Sequence, residues 1–429
     1  MPAFPPELTI QPKHGLDAEI TVPGSKSLTN RALIIAALAD GRSELEGGLI
    51  AEDSDVMIRA LNTLGIPVEV DGATFRVHGQ NGRIPETRAT LDLRLSGTSI
   101  RFLTALVALG HGHYQLDGNE RMRERPIADL LNALTQLGVK AGTRFETGCP
   151  PVIVEAAGLP GGTTTLAGGS SSQYLSALLM AAPYASAPIR IQLAGELQSK
   201  PFVDMTLAIM EDFGVRAARQ DYRHFEVQPG RYQARPYRIE GDAMAAGYFW
   251  AAAALAGGRA KIMNLGRNSR QGDRRLADVL QQMGCSVRWT EHSCEVTSPP
   301  DGRLRGGTFD LNDMPDQAQT LAVVALFAET PVRIENVWNL RIKETDRLSA
   351  MSTELRKLGA DVVEEQDALL VRPLPADRAP ASVSLETYGD HRMAMALALA
   401  GLKLPGVTIR DPACVNKTFP KYFEVLSAL

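Results

Sequence analysis

The apolar positions of this chain repeat in a fixed order. A helix-period segment closes on a bulky apolar residue and a glycine, and a β-branched run follows: ALNTLGIPVEV at 60–70, ALTQLGVKA at 133–141, AIMEDFGVRA at 208–217, VLQQMGCSVRW at 279–289 and ELRKLGADVVEE at 354–365. The glycines, Gly65, Gly138, Gly214, Gly284 and Gly359, stand 70 to 76 residues apart. Glycine just past a helix is the usual left-handed C-cap, and a constant period of this length marks repeated supersecondary units. A sixth copy is the terminal helix Tyr422–Leu429, with no strand after it.

A second class of helix keeps the same rhythm: LTNRALIIAALA, SIRFLTALVALG, SSQYLSALLMAAPYA, AMAAGYFWAAAALAGG, DQAQTLAVVALFA and DHRMAMALALAG. Segments apolar nearly all round predict helices buried inside a domain. Short alternating runs such as HYQLDG, PIRIQLAG, AKIMNLG and PVRIENV predict strands after them. Each unit therefore holds an inner helix, an outer helix and several strands, an α/β arrangement.

Six copies exceed one core, so the pattern predicts two domains of three copies each. The boundary falls in QPGRYQARPYRIEG at 228–241, rich in proline and glycine. The strand at Leu8–Ile10 precedes the first complete unit and is assigned to the second half. The expected domains are residues 22–240, and residues 1–21 with 241–429, with crossovers near 21 and 240.

Composition narrows the function classes. In 429 residues, 44% hydrophobic and 22% charged content is ordinary for a soluble globular enzyme. A net charge of -4, with no lysine and arginine run among aromatics, excludes general nucleic-acid binding. The most apolar stretch, Ala243–Gly258, is too short to span a membrane and predicts a buried helix. MPAFPPELTIQPKHG carries no apolar core of an export signal, and the four cysteines show no metal-ligand spacing. The expectation is a reduced, cytoplasmic protein without metal, nucleic-acid or membrane partners.

Candidate chemistry gathers at the predicted helix starts. VPGSKSLTNR at 22–31 places Lys26 and Arg31 around a start capped by Ser27, Thr29 or Asn30. It is not a nucleotide P-loop, since Ser25 and Ile20 stand where that motif needs glycine. Other starts carry Ser96-Gly97-Thr98, Ser171-Ser172-Gln173, Ser199-Lys200, Asp316 and Asp390-His391-Arg392. A lone serine or aspartate there is a cap. Capping does not explain Arg125, Lys343, Arg347, Arg392 and Lys417, because the helix dipole disfavours cations at that end. The set predicts anion binding. In RIKETDR, Lys343 and Arg347 are expected to share a helix face, with Glu344 meeting Arg347 three residues on.

The motifs PGSKSLTNRA, SGTSIRF, RMRERPI, SSSQYLSALLM, SKPF, GRNSRQGD, RIKETDRL, GDHRMAMALALAG and NKTFPKYF, in this order over nearly the whole chain, resemble the 5-enolpyruvylshikimate-3-phosphate synthase family. The resemblance implies a two-domain, inside-out α/β barrel-like fold of six βαβαββ units, three per domain. It implies transfer of the enolpyruvyl group of phosphoenolpyruvate to the 5-hydroxyl of shikimate 3-phosphate, without metal or cofactor, in the shikimate pathway toward aromatic amino acids. The hydroxyl attacks the central carbon, the methylene takes a proton, and a tetrahedral intermediate expels phosphate.

By matched motifs, Lys26, Ser27, Arg31, Ser171, Ser172, Gln173, Ser199, Asp316, Asn339 and Lys343 are expected to hold shikimate 3-phosphate. Lys26, Gly97, Arg125, Gln173, Arg347, Arg392 and Lys417 are expected around phosphoenolpyruvate. The catalytic candidates are Asp316 at the 5-hydroxyl, Glu344 near the methylene, Lys26 and His391. A monomer is expected, with glyphosate as inhibitor. Three positions depart from the family pattern: Leu95-Ser96 before the glycine motif, Phe102 where proline is common, and Phe202 in place of a tyrosine hydroxyl. The related transferase acting on UDP-N-acetylglucosamine carries a loop cysteine before the third repeat. Here Cys149 is the first cysteine and HGHYQLDGNERMRER holds none. A noncatalytic protein of the same fold is the remaining alternative, against which Lys26, Asp316, Glu344, His391 and Lys417 all stand in place.

Overall fold

The computed structural model describes residues 2, 4–167, 169 and 171–429, so the first serine of SSSQYLSALLM lies outside the described residues. The described residues form twelve α-helices: α1 (Lys26–Leu38), α2 (Glu52–Thr63), α3 (Gly97–Val107), α4 (Ala128–Gln136), α5 (Ser172–Ala181), α6 (Lys200–Asp212), α7 (Ala243–Ala256), α8 (Leu276–Gln282), α9 (Ala318–Ala325), α10 (Arg347–Lys357), α11 (His391–Ala398) and α12 (Tyr422–Ala428). They alternate in kind. The odd-numbered helices are the alanine-rich ones; every residue of α7, α9 and α11 is buried. The even-numbered helices carry charge on one side and bury the other. In α10, for example, Leu348, Met351 and Leu355 are buried while Thr353 and Arg356 are exposed.

The turn after each outer helix is built as the glycine spacing predicts. Gly65, Gly138, Gly214, Gly284 and Gly359 adopt φ between +79° and +111°, a region closed to most side chains. Each turn feeds a strand that pairs antiparallel with the next.

The chain divides into two compact units, one of Gly24–Ile239 and one that joins the segment ending at Pro23 to Glu240–Leu429. In the first unit three four-stranded sheets share one plan: an opening strand runs parallel to a second, and a hairpin adds two antiparallel strands. Arg88–Asp92 pairs in parallel with His111–Asp117, for instance, which continues to Val152–Ala157 and Lys140–Thr143. In the sheet centred on Asp40–Glu46, the opening strand is supplied from the far end of the unit, by Pro236–Arg238.

In the other unit two four-stranded sheets follow the same plan, while the third sheet has three strands, Val383–Leu385 parallel to Val407–Arg410 and Glu7–Thr9 added antiparallel. Leu16–Ile20 lies parallel to Gly258–Ile262, and Glu7–Thr9 pairs antiparallel with Val407–Arg410. The N-terminal strands thus belong with the second half of the sequence. Each unit owns a separate apolar core, one around α1, α3 and α5 and one around α7, α9 and α11. Strands such as Ile189–Ala194 alternate buried and exposed positions, so helices fill the interior and each sheet turns one face outward.

Candidate functional site

In the unit of residues 24–239, several candidate site residues, Lys26, Gly97, Ser171 and Ser172, lie where inner helices begin. α1 is capped by Ser25, whose Oγ accepts from Leu28 N at 3.4 Å. This corrects the expected caps: Ser27, Thr29 and Asn30 lie inside the helix, and Thr29 Oγ1 instead accepts from Leu49 N. Lys26 is then the first helical residue, with its Nζ 3.3 Å from Asp53 Oδ2. Asp53 is only 3% exposed, in the first turn of α2.

Arg31 lies more than a turn into α1, so the dipole argument does not apply to it. It is buried instead. Its Nε donates to Thr206 Oγ1 (2.7 Å), Nη1 to the Ser27 carbonyl (3.1 Å), and Nη2 to Ser176 Oγ (3.3 Å) and the Phe202 carbonyl (3.1 Å). All four acceptors are neutral, and burial pushes the guanidinium pKa down to about 9. A buried cation ringed by neutral groups favours an anion beside it.

Gln173 ties two neighbouring helices together. Its Oε1 accepts from Arg101 Nη1 at 2.6 Å, and its Nε2 reaches Thr98 Oγ1 at 3.4 Å. Ser171 caps α5 by accepting from Gln173 N. Gly97 opens α3 directly against Arg125: a Cβ there would fall 2.7 Å from both Nη atoms. Ser199 precedes α6 in the left-handed region at φ +55° and is buried. The Phe202 ring is partly buried against the core of this unit, so its apolar replacement of a hydroxyl is accommodated by packing.

The other unit holds an interlocked set of charges. Arg347, 1% exposed, donates Nη1 to Asp316 (2.9 Å), Nη2 to Glu344 (2.9 Å), and Nε and Nη2 to Asp390 (2.7 and 3.1 Å). Burial opposes its charge, but Asp390, Glu344 and Asp316 outweigh that cost and hold its pKa above the usual arginine value. Asp316 also meets Arg392 Nη2 at 3.0 Å and Lys343 Nζ at 3.7 Å, and Glu344 pairs with Lys417. Four cations therefore share three carboxylates. Burial and the charges of Asp390's neighbours require this partnership, since the Asp390 side chain has no exposure.

Two expectations about this set are corrected. Lys343 and Glu344 precede α10, which begins at Arg347 with Asp346 as its cap, so Lys343 and Arg347 share no helix face; they converge on Asp316 instead. Among the five cations assigned to helix starts, only Arg347 and Arg392 lie in the first turn of an α-helix. Arg125 follows a short 3-10 turn at Met122–Glu124, and Lys417 ends another at Pro412–Lys417. His391 is fully buried, its Nδ1 3.5 Å from Asp390 Oδ1. Asn339 lies in a 3-10 turn at Trp338–Ile342, immediately before Lys343.

Known proteins resolve what this chemistry belongs to. The family model of EPSP synthase (3-phosphoshikimate 1-carboxyvinyltransferase) matches residues 10–426. The chain belongs to the EPSP synthase family. It is 47% identical over 411 residues to the 3-phosphoshikimate 1-carboxyvinyltransferase of Trichormus variabilis, covering 95% of each chain. It is 44% identical to that of Shewanella denitrificans, with 99% of each covered, and 45% identical to a chloroplastic enzyme of Nicotiana tabacum, covering 84% of the latter. An EPSP synthase structure from Acinetobacter baumannii superposes with a TM-score of 0.81 at 24% identity, over 98% of this chain and 97% of that one, which shows the shared fold. As a member of the EPSP synthase family the chain is an enolpyruvyl transferase of the shikimate pathway, joining phosphoenolpyruvate to shikimate 3-phosphate.

Several contacts of the candidate site residues are not legible in the sequence. Asp53 and Thr206 lie outside the recognised motifs, and Arg101 and Ser176 lie inside two of them, but all four are remote in the chain from the side chains they hold. Asp53 reads locally as an acid in a helix first turn, and Ser176 and Thr206 as small residues on buried helix faces. Asp390 was visible as a cap, and its pairing with Arg347 emerges only from the fold.

Proposed function

We propose that these charged and polar side chains hold the two substrates of the reaction. Shikimate 3-phosphate is held by Lys26, Ser27, Arg31, Ser171, Ser172, Gln173, Ser199, Asp316, Asn339 and Lys343. Phosphoenolpyruvate is held by Lys26, Gly97, Arg125, Gln173, Arg347, Arg392 and Lys417. Both substrates carry several negative charges, and the reading is supported by cations kept in defined positions by carboxylates and neutral acceptors.

The observation that carries the chemistry is the bracketing of Asp316 and Glu344 by cations through one shared arginine, Arg347. In our reading Asp316 accepts the proton of the 5-hydroxyl as its oxygen bonds to the central carbon of phosphoenolpyruvate. Glu344, joined to Lys417, serves the methylene, which gains a proton in the addition and gives one up as phosphate leaves. Lys26, steadied by Asp53, supplies positive charge to both steps. His391, buried with its Nδ1 3.5 Å from Asp390 Oδ1, is the fourth catalytic candidate.

The test is phosphate release from phosphoenolpyruvate with shikimate 3-phosphate or UDP-N-acetylglucosamine as acceptor. Turnover is expected with the first alone, and Asp316→Ala and Glu344→Gln are expected to lose rate while still binding both substrates. Wild-type turnover in either variant sinks the assignment. The same reading includes inhibition by glyphosate at the Gly97 and Arg125 side of the site, action as a monomer, and a cytoplasmic setting in keeping with four free thiols. Inhibition curves and light scattering check the first two.

A further inference from the structure

Arg31 raises a question that its hydrogen bonds do not answer. It is 2% exposed, and its four acceptors are two hydroxyls and two carbonyls. A guanidinium has five N–H donors, so these bonds leave one on Nη1 for an outside acceptor. Removing the charge from water costs free energy that neutral acceptors offset only in part. An aromatic ring also stands beside it. The guanidinium carbon of Arg31 stands 5.2 Å from the centroid of Phe102, itself 1% exposed on α3. The negative face of an aromatic ring attracts a cation, most strongly where water is excluded.

The ring also constrains orientation. Thr206 and Ser176 fix Nε and Nη2 from α6 and α5, Ser27 fixes Nη1 from α1, and Phe102 closes the remaining side from α3. Thr206 Oγ1 lies 2.8 Å from both Ser176 Oγ and the Phe202 carbonyl, so its one proton goes to one of these two while Arg31 Nε donates to its oxygen. Helix α6 thus contributes two contacts to the guanidinium, Thr206 Oγ1 and the Phe202 carbonyl, and α1, α3 and α5 contribute one each.

We propose that Phe102 is a positioning and specificity-determining residue for the acceptor substrate: its ring face stabilises and aims the Arg31 guanidinium, and through Arg31 it sets affinity for an anionic group of shikimate 3-phosphate. Phe102 does this without touching substrate. The inference rests on the reading of Arg31 as an acceptor-binding residue, and it assigns to α3 a second duty beside presenting Gly97.

The experiment replaces Phe102 with mono-, di- and trifluorinated phenylalanine, which weaken the ring's negative face at nearly constant shape. The dissociation constant of shikimate 3-phosphate is measured by calorimetry, with the KM of phosphoenolpyruvate at saturating acceptor and the thermal midpoint alongside. Acceptor affinity is expected to weaken stepwise, by about two- to thirtyfold across the series, with the KM for phosphoenolpyruvate unchanged and the thermal midpoint falling in step, since the same ring face offsets the burial of the charge. A flat acceptor affinity, or a parallel change in both substrates, overturns the role of Phe102. Arg31→Gln is measured beside it. If that variant binds shikimate 3-phosphate as the wild type does, the reading of Arg31 fails and the inference with it. If it binds weakly while the fluorinated series stays flat, the inference about Phe102 fails alone.

Discussion

Asp53 Oδ2 lies 3.3 Å from Lys26 Nζ, joining the first turns of two helices that begin 26 residues apart in sequence. The lysine side chain is long and mobile, and a buried carboxylate at this distance restricts it to one direction. Asp53→Asn removes the charge that holds it and leaves the volume. Misplacing a catalytic group by about 1 Å costs on the order of 100-fold, so kcat/KM is expected to fall by roughly 10- to 100-fold while the thermal midpoint barely moves. Unchanged steady-state kinetics in this variant would leave Lys26 independent of Asp53.

Gly97 is fixed by what stands over it. A methyl group on this residue would come within 2.7–2.8 Å of the Arg125 guanidinium, well inside contact distance. Gly97→Ala is therefore expected to push Arg125 aside and raise the KM for phosphoenolpyruvate by about tenfold, the loss of one charge-assisted hydrogen bond of roughly 1.5 kcal/mol. The dissociation constant of shikimate 3-phosphate alone serves as the control and is expected to hold. A KM for phosphoenolpyruvate equal to the wild type's would show that the Arg125 position is unimportant.

Arg347 carries a structural duty as well as a proposed ligand contact. Its removal strands Asp390, which has no exposure and depends on two of its hydrogen bonds. Breaking a buried ion pair from one side costs about 3–5 kcal/mol. Arg347→Met is expected to lower stability by that amount in urea unfolding, in addition to abolishing turnover. A loss below about 1 kcal/mol would mean that Asp390 finds another partner or takes a proton.

Asp273 makes stability depend on pH. It is buried, its Oδ1 has no hydrogen-bond partner among the described residues, and its pKa rises from the ordinary 3.8 to about 7. Burial is the main cause; the charges of Asp316 and Asp242 add to it, and Arg392 opposes it. A native pKa above the unfolded one means that the folded state holds the proton more tightly. Its stabilising contribution is complete below the unfolded pKa near 3.8 and is lost as pH rises through about 7. The wild type is expected to lose a few kcal/mol over that window, about 1.4 per pH unit from this group. Asp273→Asn, which resembles the protonated form, should flatten the profile and exceed the wild type in stability at pH 8. Parallel wild-type and variant curves from pH 5 to 8 would refute this role.

Much of the architecture was legible because it rests on local periodicity. Inner helices such as α7 and α11 are apolar all round, which no surface position tolerates, and Gly65 and its four counterparts mark turns that few other residues can make. Motif-level candidates were legible for the same reason, since Lys26 and Arg392 occupy helix starts where cations are otherwise disfavoured. Arg31, Arg125, Lys343 and Lys417 do not sit at α-helix starts, because their positions depend on where each helix begins, and a boundary one turn away removes the effect of the dipole.

By itself, then, the sequence determined the repeated unit, the alternation of inner and outer helices and the concentration of cations beside hydroxyls and carboxylates. Tertiary structure alone decided the pairings. That Arg347 spans Asp316, Glu344 and Asp390, that Asp53 steadies Lys26, and that Phe102 faces Arg31 are contacts between residues separated by tens of positions. Electrostatic and aromatic contacts act over a few ångströms in space, and periodicity records only which face of an element turns inward. Which side chains meet on those faces is set when the helices pack.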